Sequence, residues 1–204
     1  MQKGWQDALE RVMLALRACP PSRLLPPELQ ALTTLGLLSD SHGRASTTQR
    51  AVELLLDAGA DTLIHLGDVG TVQVIDAMIA DHPVTGRPID VHLVFGNTDW
   101  DARALADYAT DMGMAVHDPS GELEVDGCTL AFTHGHLEKL VGQLLAREPD
   151  YLLHGHTHRV QDQQMGSSRV INPGALFRAS KYTVATLTPM TGAFEVLELN
   201  GVAW

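Results

Sequence analysis

Asp40 and His42 stand two residues apart just past an apolar run, and Asp68, Asn97, His134, His156 and His158 follow just past later runs of the same kind. A carboxylate and an imidazole at i and i+2 on extended backbone point the same way, so Asp40 and His42 can share one metal ion. A D-x-H triplet is common by chance, and its weight comes from the company it keeps. Asp68 follows Gly67; a carboxylate can bridge two metals through its two oxygens, and the glycine lets backbone come close. Asn97 follows Gly96 and offers a neutral amide oxygen, a ligand that adds no charge to a crowded dication site. Of ten histidines, five fall in Thr133-His134-Gly135-His136 and Leu153-His154-Gly155-His156-Thr157-His158. A single histidine is ordinarily a polar loop residue or a satisfied core residue. Two clusters at strand ends, beside Asp40, Asp68 and Asn97, point instead to a metal site. His65, His82, His92 and His117 lack such company and are read as ordinary residues.

For these residues to meet, strand ends must gather along one edge. From Thr33 onward short apolar runs alternate with helical stretches: 34–40, 61–68 and 91–99 read as strands, 46–59 and 71–81 as helices. Such alternation argues for an α/β domain, and in open α/β sheets the carboxyl ends of the strands are where sites are built. Past residue 120 the pattern changes. Residues 121–133 read as a hairpin turning at Asp126-Gly127, 136–148 as a helix and 150–158 as a strand. Segments 159–164, 167–174, 182–189 and 192–200 are all β-like, and a second sheet packed on the first accounts for them better than further βα repeats.

The length of 204 residues and a 45% hydrophobic content suit one compact domain plus a small appendage. Residues 1–31 read as that appendage, an N-terminal helical extension to a main domain at 32–204. Trp5, Leu9, Val12, Met13 and Leu16 recur at helical spacing, and the proline-rich stretch 20–27 reads as a stiff connector. Packing on its own domain is the expectation, with a partner-binding helix as the alternative. The formal net charge of -11 repels polyanions, which disfavours nucleic acid and anionic membranes as partners. Bound metal would still give a local positive potential able to capture a small phosphate. Two cysteines, Cys19 and Cys128, make no disulfide framework and suit a reducing compartment. The first residues lack the apolar core of a secretory signal, and no run is long enough to span a bilayer. A cytoplasmic protein is expected. A homo-oligomer is compatible with the sequence but not specified by it.

D-x-H, G-D, G-N, H and G-H-x-H occur here in that order, and together they resemble the calcineurin-like metallophosphoesterase superfamily, in particular its small bacterial and archaeal phosphodiesterase branch. The resemblance covers roughly residues 33–199 and leaves the N-terminal extension aside. It implies a four-layer α-β-β-α sandwich of two mixed β-sheets flanked by helices. It also implies two divalent ions: one held by Asp40, His42 and His158, the other by Asn97, His134 and His156, with Asp68 and a hydroxide bridging them. Two ions about 3.5–4 Å apart activate water for attack on phosphorus and neutralise the phosphate oxygens. Mixed nitrogen and oxygen ligation suits Mn, Fe, Zn, Ni or Co, with manganese placed first on availability. His154 and His136 do not match ligand positions and are read as supporting or substrate-side groups. Asn172-Pro173-Gly174 resembles a late turn that shapes the site floor. Arg44 and Arg178 could reach a substrate phosphate or simply be surface residues.

One position departs from the pattern. Many relatives carry a histidine after G-N that is thought to protonate the leaving oxygen, and this chain has Thr98 there. Asp99 and His136 are the remaining candidates for the acid, Asp99 being read first as a brace for the loop. The reading is a phosphoesterase, in all a phosphodiesterase, acting on a small phosphate ester. Its rivals are an inactive scaffold, as in the retromer subunit of the superfamily, and a nucleotide-specific hydrolase. General acid catalysis contributes ~10²–10⁴-fold, most of it needed for poor leaving groups. Aryl phosphodiesters should therefore be cleaved much faster than alkyl monoesters, and equal turnover of both at saturating metal would contradict the loss of the acid.

Overall fold

The run Thr62–Leu66 carries apolar residues on both faces, which a strand satisfies only with cover above and below. The computed structural model, which describes residues 32–199, supplies that cover in four layers. In chain order the elements are β1 (Leu35–Leu38), α1 (Ala45–Asp57), β2 (Thr62–Leu66), α2 (Val72–Asp76), β3 (Asp90–Val94), α3 (Ala102–Asp111), β4 (Ala115–Val116), β5 (Ser120–Val125), β6 (Cys128–Thr133), α4 (Glu138–Leu145), β7 (Tyr151–Leu153), β8 (Val160–Met165), β9 (Ser168–Pro173), β10 (Thr183–Thr188) and β11 (Ala193–Glu198). One sheet has the order β11-β10-β1-β2-β3-β4 and the other β5-β6-β7-β9-β8. Both are mixed: β1 to β4 pair in parallel, as do β6, β7 and β9, while β10, β11, β5 and β8 pair antiparallel. The expected N-terminal helix and its connector lie outside the described residues.

The period-two alternation of each strand sorts its side chains into different layers. Leu63 and Leu93 point to α1, α2 and α3, where Val52, Leu55, Ile75 and Leu105 cover them. Ile64, Leu66, Leu35 and Leu37 point the other way and meet Leu130, Phe132, Leu153 and Ile171 of the second sheet. The back of that sheet, at Ala131, Leu152 and Val170, is covered by Leu140, Val141 and Leu144 of α4. This is the α-β-β-α sandwich the motifs imply. The hairpin forms at Asp126-Gly127, with Val125 opposite Cys128 and both turn residues at positive φ.

Five elements differ from the sequence reading. Strands β10 and β11 do not join the second sheet. They return to the first, β10 lying antiparallel on β1, and so close an edge that would expose a buried strand's polar backbone. The helix expected over 71–81 stops at Asp76, because the chain beyond it is claimed by a loop pairing: Ile89 N–H donates to Ala80 C=O and His82 N–H to Arg87 C=O. Helix α3, capped by the Asp101 carboxylate on Ala104 N–H, and the short β4 are additions that the apolar pattern does not announce. Among the described residues no helix is long and apolar enough to cross a membrane.

Phe132 is fully buried between the sheets. Truncation to alanine should cost about 3–5 kcal/mol, read as a lower urea midpoint with an unchanged slope; a loss below about 1 kcal/mol would show that the inter-sheet layer does not carry the fold.

Candidate metal centre

The strand ends meet because the β1–β2 ladder continues past both strands. Asp40 N–H donates to Gly67 C=O, His42 N–H to Asp68 C=O and Gly43 N–H to Val69 C=O, at 2.8–2.9 Å. The second sheet is tied in by His156 N–H to Asp40 Oδ2 at 3.1 Å and by Leu176 N–H to Ser39 C=O. The backbone here is not extended, as the D-x-H spacing suggests. Asp40, His42, Asp68, His156 and His158 all adopt positive φ, between 44° and 67°. Left-handed backbone costs a residue with a side chain about 1–2 kcal/mol, and such residues cluster where function over-determines the conformation. Two glycines permit the crowding. A Cβ on Gly96 would overlap the Asp68 carboxylate, and one on Gly155 would overlap Ser39 Oγ.

Within this knot Asp40 and Asp68 are almost wholly buried. His158 Nε2 lies 3.1 Å from Asp40 Oδ1, while His42 Nε2 and His134 Nε2 each lie 3.4 Å from Asp68 Oδ2. Ligand atoms of Asp40, His42 and His158 fall within 4.8 Å of one another, as do those of Asp40, Asp68 and His134. Asp40 Oδ1, His42 Nε2 and His134 Nε2 are buried with no hydrogen-bond partner. Native proteins rarely leave buried polar atoms so, and three gathered around the Asp40 and Asp68 carboxylates suit a divalent cation. His156 is exposed, its ring 5.1 Å from that of His134. Asn97 is exposed between Gly96 and Thr98, the latter donating its N–H to Asp68 Oδ1 at 2.9 Å.

The electrostatics point the same way. Burial works against the Asp68 carboxylate, yet the His134 ring and the Thr98 N–H hold it well below the usual carboxylate range. The Asp40 carboxylate raises His158; burial pulls His134 down, but Asp68 and Asp40 outweigh it and raise it too. His134 Nδ1 lies 2.8 Å from the Leu66 carbonyl, so Nδ1 carries the proton in the neutral ring and Nε2 keeps its lone pair for a ligand role.

A surrounding shell fixes the ligand loops. Asp99 accepts from Val69, Gly70 and Gly96 N–H at 2.7–3.2 Å, which occupies both its oxygens, and burial raises its pKa. Asn172 donates to Gly155 C=O and Thr157 Oγ1 and accepts from Gly174 N–H, bracing the G-H-T-H loop. His154, buried, faces Gln161 through Nε2 at 3.1 Å. Sequence reasoning passed over His65, which is fully buried with Nε2 2.9 Å from Ser41 Oγ and Nδ1 accepting from Gly67 N–H. Its only signal is its place two residues before Gly67-Asp68. Phe177 was missed as well: its ring sits 5.0 Å from that of His42, with the guanidinium carbons of Arg44 and Arg178 at 4.8 and 5.0 Å. His136 stands beside His134 and His156, at 5.4 and 6.2 Å between rings, with Nδ1 buried and unpartnered.

Known proteins resemble this chain in sequence and fold. The Calcineurin-like phosphoesterase superfamily domain matches residues 34–192, and the chain belongs to that superfamily. With membership comes the class of a metal-dependent phosphoric ester hydrolase. The phosphodiesterase YfcE of Escherichia coli K12 is 30% identical over 145 residues, 68% of this chain and 76% of its own length. Phosphodiesterase MJ0936 of Methanocaldococcus jannaschii is 25% identical over 142 residues, 69% and 82% of the two chains. The solved structure of an archaeal phosphodiesterase superposes with a TM-score of 0.71 at 23% identity, covering 82% of this chain and all of the other. A zinc-complexed Vps29 of Entamoeba histolytica, at 0.54 and 16%, shares the fold over 82% of this chain and 98% of its own.

Burial pushes His65 down to about 4 from its ordinary 6.5. Between those values the unfolded chain binds a proton that the folded chain refuses, so stability falls as pH drops through the window and levels off below it. The loss attributable to His65 should approach about 3 kcal/mol. Chelator-treated wild type and His65→Asn, melted across the window, should differ by that slope; parallel pH profiles would show that His65 is not buried neutral.

Proposed function

We propose that this chain is a phosphodiesterase that hydrolyses a small phosphate ester with two divalent metal ions. The observation that carries the reading is the hollow in which Asp40 Oδ1, His42 Nε2 and His134 Nε2 are buried without partners. Asp40, His42 and His158 would hold one ion, Asn97, His134 and His156 the other, with Asp68 shared between them. The donor set suits Mn, Fe, Zn, Ni or Co, manganese first. When bound, such a pair would make water nucleophilic at neutral pH and offset the charge on the phosphate, so that hydrolysis would need no covalent enzyme intermediate.

The chain's own groups prepare that site. Thr98 N–H fixes one oxygen of Asp68. Asp99, with both oxygens taken by backbone N–H groups, acts as a brace rather than a proton donor. Thr98 Oγ1 lies 3.3 Å from His42 Nδ1 and orients a ligand, leaving His136 as the group to protonate the leaving oxygen. Arg44 and Arg178, both over the Phe177 ring, would bind a substrate phosphate. The two relatives named phosphodiesterases favour a diester, and the net charge of -11 favours a small substrate over nucleic acid. A chain with two cysteines suits a reducing, cytoplasmic setting.

Metal analysis should find two ions per chain, with turnover of bis(p-nitrophenyl) phosphate that chelation abolishes and manganese restores. Asp68→Asn should lose metal and reduce turnover at least ~10²-fold, since even groups that only orient ligands are worth 10–100-fold. A protein that binds no metal and turns over no ester would be a scaffold of this fold.

A further inference from the structure

We infer that Arg44, Phe177 and Arg178 form an anion subsite beside the metal hollow, selecting phosphodiesters that carry a second phosphate. This rests on the proposed phosphodiesterase reading and names its substrate class. Phe177 is half-buried and packs on the ring of His42 at 5.0 Å between centroids. The guanidinium carbons of Arg44 and Arg178 lie 4.8 and 5.0 Å from the centre of the same ring. Neither cation can be further from the His42 ring than two such spans laid end to end. The two arginines come from loops far apart in the chain, one after β1 and one after β9. Both loops are held: Arg44 C=O accepts from Thr48 Oγ1 and N–H, and Arg178, at a positive φ of 48°, offers its backbone to His158.

What separates this pair from the other described cations is that both lie over one aromatic ring. Arg147, Arg169 and Lys181 each pair with a carboxylate, of Glu122, Asp162 and Glu198. Among the described residues Arg44 and Arg178 have no carboxylate partner, as is also true of Arg87, Arg103, Lys139 and Arg159, but only Arg44 and Arg178 stack together on one ring. A guanidinium over an aromatic face spends its flat side on the ring and keeps its in-plane N–H fork free, the edge that takes phosphate two oxygens at a time. A simple diester carries one negative charge, which the metals would engage. Two further guanidiniums exceed that need and match a second, dianionic phosphate on the same substrate.

The test uses a matched pair of substrates, thymidine 5′-(p-nitrophenyl phosphate) with and without a 3′-phosphate, on the metal-loaded full chain. The scissile group is the same in both, so a preference reports the distal phosphate. Wild type should favour the 3′-phosphorylated ester on the order of tenfold or more, mainly through KM and less so at high salt, as charge-assisted hydrogen bonds of this strength imply. In Arg44→Gln/Arg178→Gln the ratio of the two kcat/KM values should fall towards one, and Arg→Lys at both positions should keep part of it. Calorimetry with thymidine 3′,5′-bisphosphate and thymidine 5′-phosphate should show the same preference and its loss. A wild-type ratio near one, or a preference that survives in the double variant, overturns the subsite. No hydrolysis of either ester, with the bisphosphate preference intact in calorimetry, overturns the phosphodiesterase reading and leaves the subsite standing.

Discussion

Asp40 and Asp68 are two carboxylates buried side by side, and the rest of the structure answers to that placement. Taking a carboxylate out of water costs several kcal/mol even after relaxation, and a like charge nearby adds to it. Hydrogen bonds from His156 N–H and Thr98 N–H meet one oxygen of each. The remaining oxygens face imidazole nitrogens at 3.1–3.4 Å that are not aligned as donors. Neutral protein groups leave this arrangement incomplete; a cation completes it.

Holding acceptors against their mutual repulsion requires a stiff frame. The parallel centre of each sheet, buried on both faces, delivers strand ends that cannot drift apart. Beyond those ends the chain turns sharply through left-handed residues, and the absence of side chains at Gly96 and Gly155 lets ligand loops touch. Each loop is then pinned by a group that is not itself a ligand candidate. His65 and Thr48 hold Ser41, Asp99 joins the loops after β2 and β3, and Asn172 secures the G-H-T-H loop. The frame carries the strain, and the hollow inherits its geometry.

The molecule also separates long-range from short-range electrostatics. Its net charge repels extended polyanions, whereas cations held in the hollow, with the arginines around Phe177, would concentrate positive character within a few ångströms. Screening in salt shortens the first effect to about 8–10 Å, so a small phosphate close to the site would meet mainly the second. Phe177 packs on the His42 ring and under both guanidiniums at once.

Much of this was legible in the sequence, because strand ends are local features. An apolar run that gives way to Gly-Asp or Gly-Asn marks its own terminus, and the alternation of such runs with helical stretches requires a layered α/β fold. The order of the polar pairs along the chain carried the family resemblance for the same reason. Other features depend on which strand lies beside which, and no local pattern encodes that. The return of β10 and β11 to the first sheet is decided by the free edge of β1, nearly 150 residues earlier in the chain. The shortened helix after Thr71 is decided by a pairing with residues 87–89. The D-x-H residues converge through left-handed backbone rather than the extended strand their spacing suggested. His65 and Phe177 look ordinary in sequence and acquire their roles only through contacts with Ser41, His42 and two distant arginines. The sequence by itself determined the donor types and the strand ends that bear them. Tertiary structure alone decided their distances, their desolvation and their neighbours, because those arise where the two sheets close on each other.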